Sequence, residues 1–265
     1  MLKDITLGQY FPGNTIVHRL DPRTKLILVI VYIVALFQAK GWVSYAAVTL
    51  ATALCMILSH IRPKNIFKGL KPMLFIIVLT ALLNIFYTEG REIIPGWHMT
   101  WEGLARSVQM ILRIVLLITG TFLLTYTTSP IALTDGLEML LSPLKKIKVP
   151  VHEMTLMMSM ALRFIPTLIE ETDKIMSAQK ARGADMESGG IVQRARALIP
   201  ILIPLFVSAF RRAEELALAM ECRCYHGGEG RTRLRELKSG MRDYIALALM
   251  ILLFAAVIVL NAVLY

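Results

Sequence analysis

From Tyr244 to Leu264 the chain runs for 21 residues without a charge, and Asn261 is its one amide. About 20 such residues in a helix cross the roughly 30 Å hydrocarbon layer, so this stretch is read as a membrane span. Four more apolar runs precede it: Leu26 to Phe37, Val43 to Leu58, Pro72 to Tyr87 and about Ser107 to Tyr126. The first is short for a span, so flanking residues must contribute and the bilayer thins locally. The second carries Ala47 and Ala51, small enough to let helices approach closely. Backbone inside lipid has to satisfy its own hydrogen bonds, which dictates an all-α polytopic membrane protein with about five transmembrane helices. Composition agrees: 56% of residues are hydrophobic and 18% charged, where soluble domains average about 25% charged.

A net charge of +10 raises the question of nucleic acid. The charge follows topology instead. Lys3, Arg19, Arg23 and Lys25 precede the first run, and Arg62, Lys64, Lys68 and Lys71 lie between the second and third. Only Lys40 separates the first two runs, and Arg91 and Arg106 sit in the loop before the fourth. Residues 128–243 hold 17 of the 29 Lys and Arg residues. The positive-inside rule then puts the N-terminus and 128–243 in the cytoplasm and the C-terminus outside, with no nucleic-acid partner. The first 25 residues lack an apolar core followed by a small-residue cleavage site, so no removable signal peptide is expected. Residues 1–19 suit the membrane interface, and Trp42, Trp97 and Trp101 suit anchors at its edge. At Leu20-Asp21-Pro22-Arg23-Thr24-Lys25, Asp21 is a good N-cap, Pro22 fits the first helical position and Lys25 marks the headgroup level. Three regions follow: 1–127 with four spans, a cytoplasmic 128–243, and 244–265 with the last span.

The cytoplasmic region is expected to contain one short and two long crossed helices. Ile131 to Leu144 is amphipathic and closes at Ser142-Pro143 and the Lys145, Lys146, Lys148 cluster, which suits a helix under anionic headgroups. The long segments run from Pro150 to Gly183 and from Ile191 to Cys224, with Gly189-Gly190 and Gly227-Gly228 beyond them. Each would be on the order of 50 Å long if unbroken. Pro166, Pro200 and Pro204 should bend them and act as hinges. Leu198 to Phe210 is apolar but bracketed by Arg194, Arg196, Arg211 and Arg212, which reads as a buried helix rather than a span. The long helices are expected to bury these faces against each other and against the spans.

Both long segments end in a small residue, an arginine and a small residue: Ala181-Arg182-Gly183 and Cys222-Arg223-Cys224. A cation in the last turn is stabilised by the helix dipole, by about 0.3–1 kcal/mol, which alone explains one such arginine. Its recurrence between small residues on both segments favours docking, because small neighbours leave the guanidinium free to grip a carboxylate in a groove. The two arginines lie too far apart to share a site, so each is expected to dock into a different copy of a partner. Cys222, Cys224 and His226 suggest a metal, but a closed zinc site needs a fourth ligand, and the cysteines are read as small residues with reduced thiols. Cys55 lies in an apolar run. Arg113 sits inside the fourth span, where two readings stand: contact with the protein's own carbonyls, or a role facing a partner membrane protein. Met154, Met157, Met158 and Met160 are either core or an adaptable surface for partners of differing shape. His18, His60, His98 and His152 form no ligand spacing. No P-loop, hydrolase triad or paired-carboxylate site occurs, so any ATP is bound by another chain.

With Leu20 to Lys25, Arg163-Phe164-Ile165-Pro166, Ala181-Arg182-Gly183 and the Pro200/Pro204 helix leading to the second tripeptide, essentially the whole chain resembles the transmembrane T component of energy-coupling factor transporters, the ABC-type vitamin importers. The resemblance implies that two Ala-Arg-Gly motifs bind grooves on two ABC ATPase subunits, which form a heterodimer. It implies further that the long coupling helices carry a substrate-binding S component. Carried over, the ATPase contacts are Ala181, Arg182 and Gly183 with Cys222, Arg223 and Cys224, where the two cysteines replace alanine and glycine. Met154, Met157, Met158 and Arg113 are the candidates for S-component contact. The chain itself would be non-catalytic and hold no cofactor, with ATP and magnesium bound by the ATPases. Its place would be a bacterial or archaeal cell membrane. Three rivals stand beside this reading: the related subunit of a cobalt or nickel importer, the permease of a conventional ABC importer, and a membrane-embedded enzyme. The last would need polar residues that the spans lack apart from Arg113, Gln109 and Asn84.

Overall fold

The structure, a computed structural model, describes residues 10–88, 92–94, 97–184, 190–227 and 237–264. The expectations for residues 1–9, Glu89, Arg91, Gly189 and Gly228 lie outside the described residues, as do those for the side chains of Trp97 and His98.

Helices begin where capping chemistry allows. α1 (Pro22–Gln38) starts on Asp21, whose Oδ1 accepts from the Arg23 amide at 2.9 Å, with Pro22 at the first position. α2 (Trp42–Ser59) follows the Lys40-Gly41 turn and stops where His60 turns left-handed. The third apolar run is not a simple span from Pro72. A short helix, α3 (Pro63–Leu70), leads through a tight turn at Lys71–Met73 into α4 (Leu74–Tyr87), because Pro72 lacks the amide that a continuous α-helix would use there. A small hairpin then intervenes, β1 (Glu92–Ile94) antiparallel to β2 (Trp97–Thr100). Its β-branched and aromatic residues favour strand, but the stretch is too short to stand out in a sequence dominated by helical runs. Thr100 caps α5 (Trp101–Thr127), its Oγ1 accepting from the Gly103 amide at 3.0 Å, so this helix starts six residues before the apolar run does. α6 (Pro130–Leu141), α7 (Val151–Ala181), α8 (Ile191–Glu221) and α9 (Met241–Leu264) complete the order.

The fold is the all-α polytopic membrane protein expected, the two strands of the hairpin being the only ones among the described residues. α2, the stretch Pro63–Tyr87, α5 and α9 are long and apolar enough to cross a membrane. α1, with 17 residues, spans only about 26 Å and packs against α5 and α9.

By its contacts the chain divides into two compact units, residues 8–136 with 236–265, and residues 137–235. In the first, Tyr32, Leu36, Ala39, Tyr45, Val48, Leu116 and Val257 form one core cluster, and Ile61, Ile66, Leu123 and Tyr126 a second. The Tyr32 hydroxyl donates to the Leu116 carbonyl at 2.9 Å and lies 3.0 Å from Thr52 Oγ1, tying α1, α2 and α5 together where apolar packing alone discriminates weakly. Asn261 of α9 closes the turn between α1 and α2, accepting from the Ser44 hydroxyl at 2.8 Å and donating to the Gln38 carbonyl at 2.6 Å.

In the second unit α7 and α8 are each 31 residues long and run unbroken through their prolines. Arg212 pairs with Glu171 at 2.7 Å, and the Gln179 side-chain amide donates to the Pro200 carbonyl at 3.4 Å. The last third of α7 therefore lies antiparallel to the middle of α8. That carbonyl is open because its usual donor, the amide of residue 204, is a proline. The expectation that the apolar faces would be buried within the chain is corrected here. Leu202, Ile203, Phe206, Val207 and Phe210 are each about half exposed or more, whereas Ile201 is buried. Among the described residues this apolar stripe of α8 is left largely uncovered.

Candidate functional site

The two long helices finish with the same backbone construction. At the end of α7 the Gly183 amide donates to the Lys180 carbonyl and the Ala184 amide reaches back to the Gln179 carbonyl, both at 3.0 Å, with Gly183 at φ +85°. At the end of α8 the Cys224 amide donates to the Glu221 carbonyl at 2.8 Å and the Tyr225 amide to the Met220 carbonyl at 3.0 Å, with Cys224 at φ +55°. This is the Schellman arrangement, in which one left-handed residue turns the chain so that its last amides satisfy the orphan carbonyls. In both tips the arginine is the residue immediately before the left-handed one, and in both it is exposed together with its two small neighbours.

That geometry joins the two readings of the arginines. The cap and the helix dipole explain why a cation is comfortable there. Among the described residues nothing engages either guanidinium, so its fork of donors can meet a carboxylate or carbonyl outside the chain.

Where the sequence suggests that the second tip needs only small residues, the structure shows a different requirement. The third position must be left-handed, which glycine adopts freely and an L-residue with a Cβ adopts at a cost of about 1–2 kcal/mol. Cys224 occupies it nonetheless, and its carbonyl accepts from His226 Nδ1 at 2.9 Å, a brace that the first tip has no counterpart for in sequence. Cys222 and Cys224 are free and exposed, and no group of three or more His, Cys, Asp and Glu converges among the described residues.

The tips do not come together. Gln179 meets Pro200, and Arg223 lies 23 residues further along α8, about 35 Å of helix. Pro166 lies in the middle of α7, and Pro200 and Pro204 lie in the first half of α8, between the two tips.

The remaining candidates fall elsewhere. Met154, Met157 and Met158 are exposed, so plain core packing does not account for them. Arg113 is engaged inside the chain: Nε donates to the Tyr45 hydroxyl at 2.9 Å and Nη2 to the Ala39 carbonyl at 3.2 Å, with the rings of Phe37 and Tyr45 each 5.8 Å away. Ala39 is the C-cap of α1, so the half-buried cation meets the negative end of a helix. Sequence reasoning missed the Tyr45 partner, for which an aromatic hydroxyl opposite a lone intramembrane arginine is the available signal.

Comparison with known proteins extends over the whole chain. The profile of the family described as cobalt transport protein matches residues 13–234. A protein of Ruminiclostridium cellulolyticum named energy-coupling factor transporter transmembrane protein EcfT is 50% identical across 100% of both chains. Proteins of the same name from Clostridium kluyveri and Bacillus subtilis are 54% identical over 93% of each chain, and 49% identical over 99% of this chain and 100% of theirs. Similarity of that extent takes in both tips, both long helices and the spans, and the chain belongs to the family of transmembrane components of energy-coupling factor transporters.

Proposed function

We propose that this chain is the coupling subunit of an energy-coupling factor importer, a non-catalytic lever between two ABC ATPases and a substrate-binding S component in the membrane. The observation that carries the reading is the pair of identically built, exposed arginine tips separated by about 35 Å of helix. One site would bring the arginines together; two docking points on two motors need them apart. Arg182, with Ala181 and Gly183, engages one ATPase, and Arg223, with Cys222 and Cys224, engages the other, the two ATPases forming a heterodimer. ATP and magnesium stay in those subunits.

The S component takes a surface left exposed among the described residues: the half-exposed stripe from Leu202 to Phe210 on α8 and the methionines Met154, Met157 and Met158 on α7. Methionine repacks cheaply against partners of different shape, which suits a subunit shared among several S components. ATP-driven closing of the ATPases draws the tips together, the long helices bend at Pro166, Pro200 and Pro204, and the S component tilts to release its cargo inward. The N-terminus and the long helices face the cytoplasm and the C-terminus lies outside, as the Lys and Arg distribution requires. The family description names cobalt and the relatives' names do not name a cargo; in this reading the S component selects a vitamin or other micronutrient.

Purification of the tagged chain from membranes, with identification of what accompanies it, tests the assignment. Two ATP-binding proteins and a small membrane protein are expected. Arg182→Glu and Arg223→Glu should each deplete the ATPases; if both variants retain them and uptake persists, the docking assignment is wrong.

A further inference from the structure

The stretch from Asp21 to Lys25 does more than start a helix. The chain leaves the membrane unit at Gly136 and returns to it just before Leu237. Both places abut the same few residues. A Cβ added at Gly136 would stand 3.1 Å from Pro22 Cβ and 3.3 Å from the Arg23 nitrogen, so α6 is seated directly on the start of α1. On the return, Arg23 Nη2 donates to the Leu237 carbonyl at 3.4 Å. The Asp21 amide donates to Asp243 Oδ1 at 2.8 Å, and the other oxygen of that carboxylate accepts from the Gly240 amide at 2.8 Å. Lys25 Nζ then holds the outgoing side, donating to the carbonyl of Thr127, the last residue of α5, at 2.9 Å and to that of His18 at 3.1 Å.

Asp21, Lys25 and Asp243 are all buried. Buried charges are tolerated only where they are paired and hydrogen-bonded, and apolar packing would tie three helix ends together at least as firmly. What a polar cluster adds is one defined geometry. Asp21 Oδ2 is buried without a hydrogen-bond partner among the described residues, so the cluster keeps spare acceptor capacity.

We infer that Asp21, Arg23, Lys25 and Asp243 form a fixed joint within the membrane unit: they lock the start of α1 to Gly136 of α6, to the end of α5 and to the start of α9, so that force delivered at Gly136 and Leu237 turns these spans together instead of being lost at their ends. This rests on the coupling function proposed above and gives positioning roles to residues far from either arginine tip.

The test uses the complete complex in liposomes, the chain with its two ATPases and a riboflavin-binding S component, with radiolabelled riboflavin as probe. For Lys25→Met and Asp243→Asn the joint predicts normal co-purification of partners, ATP hydrolysis within about twofold of wild type, and uptake per ATP reduced at least tenfold. Lys25→Arg, which keeps donors for both carbonyls, should recover much of that ratio. Gly136→Val, which pushes α6 away from Pro22, should uncouple in the same way. Uptake and hydrolysis falling in parallel with the amount of assembled complex would overturn the joint in favour of a folding role, as would failure of both Lys25→Met and Asp243→Asn to assemble. An unchanged uptake-to-hydrolysis ratio would overturn it outright. A wild-type chain that gathers no ATPases would instead strike the coupling function itself.

Discussion

Tip one and tip two share a backbone and differ in every residue but the arginine. Ala181-Arg182-Gly183-Ala184 reaches the left-handed turn with glycine; Cys222-Arg223-Cys224-Tyr225 reaches it with a residue that resists it and a histidine that braces it. Two sequences converging on one shape indicate that the shape, an arginine held on the last turn of a stiff helix, is what matters. The neighbours need only permit it. Gly183 permits it by having no side chain, and Cys224 is held there by the hydrogen bonds around it.

The largest expected effect would break the comparison at its common point. Arg182→Glu and Arg223→Glu replace a cation by an anion in a groove that is expected to present carboxylates, and each should lower ATPase recovery on the tagged chain by tenfold or more, in line with the roughly 2–5 kcal/mol typical of disrupted buried charge contacts. If only one of the two variants has an effect, the tips are not equivalent. Next is Gly183→Val. A β-branched residue in the left-handed region costs about 1–2 kcal/mol or more, so the Ala184 amide should exchange with solvent roughly tenfold faster and docking at this tip should weaken. Cys224→Gly runs the other way. Relief of strain, offset by glycine's greater freedom in the unfolded chain, should leave a gain below about 1 kcal/mol, seen as slower exchange of the Tyr225 amide with ATPase recovery preserved. Smallest is Glu171→Ala. Its pair with Arg212 is partly exposed, at 23% and 31%, so its loss should change thermal stability by no more than about 0.5 kcal/mol.

The same contrast explains what could be read in the sequence. Long apolar runs and Pro and Gly punctuation locate helices, because span length and helix termination are local physics. The ends of α7 and α8 fell within a few residues of their glycine and small-residue signals. The arginines were legible because their pattern repeats. The left-handed demand at Cys224 was not, since cysteine carries no sign of it and size was the only property the pattern suggested. Long-range ties were equally silent: nothing near Asp21 announces Asp243, 222 residues away, and Asn261 looked like a mere interruption of an apolar run before it proved to close the α1–α2 turn. The exposure of the stripe on α8 is hidden from the sequence for a related reason. An amphipathic helix states that its apolar face will be covered but not by which chain.

The central claim is that the two arginine tips meet two different motor subunits. A photo-crosslinking amino acid placed at Ala181, and separately at Cys222, in the membrane-assembled complex addresses it most directly. The account predicts one adduct from each position, with an ATP-binding subunit in both cases and a different one in each. Adducts joining the chain only to the S component, or none with an ATPase from either position, would contradict it.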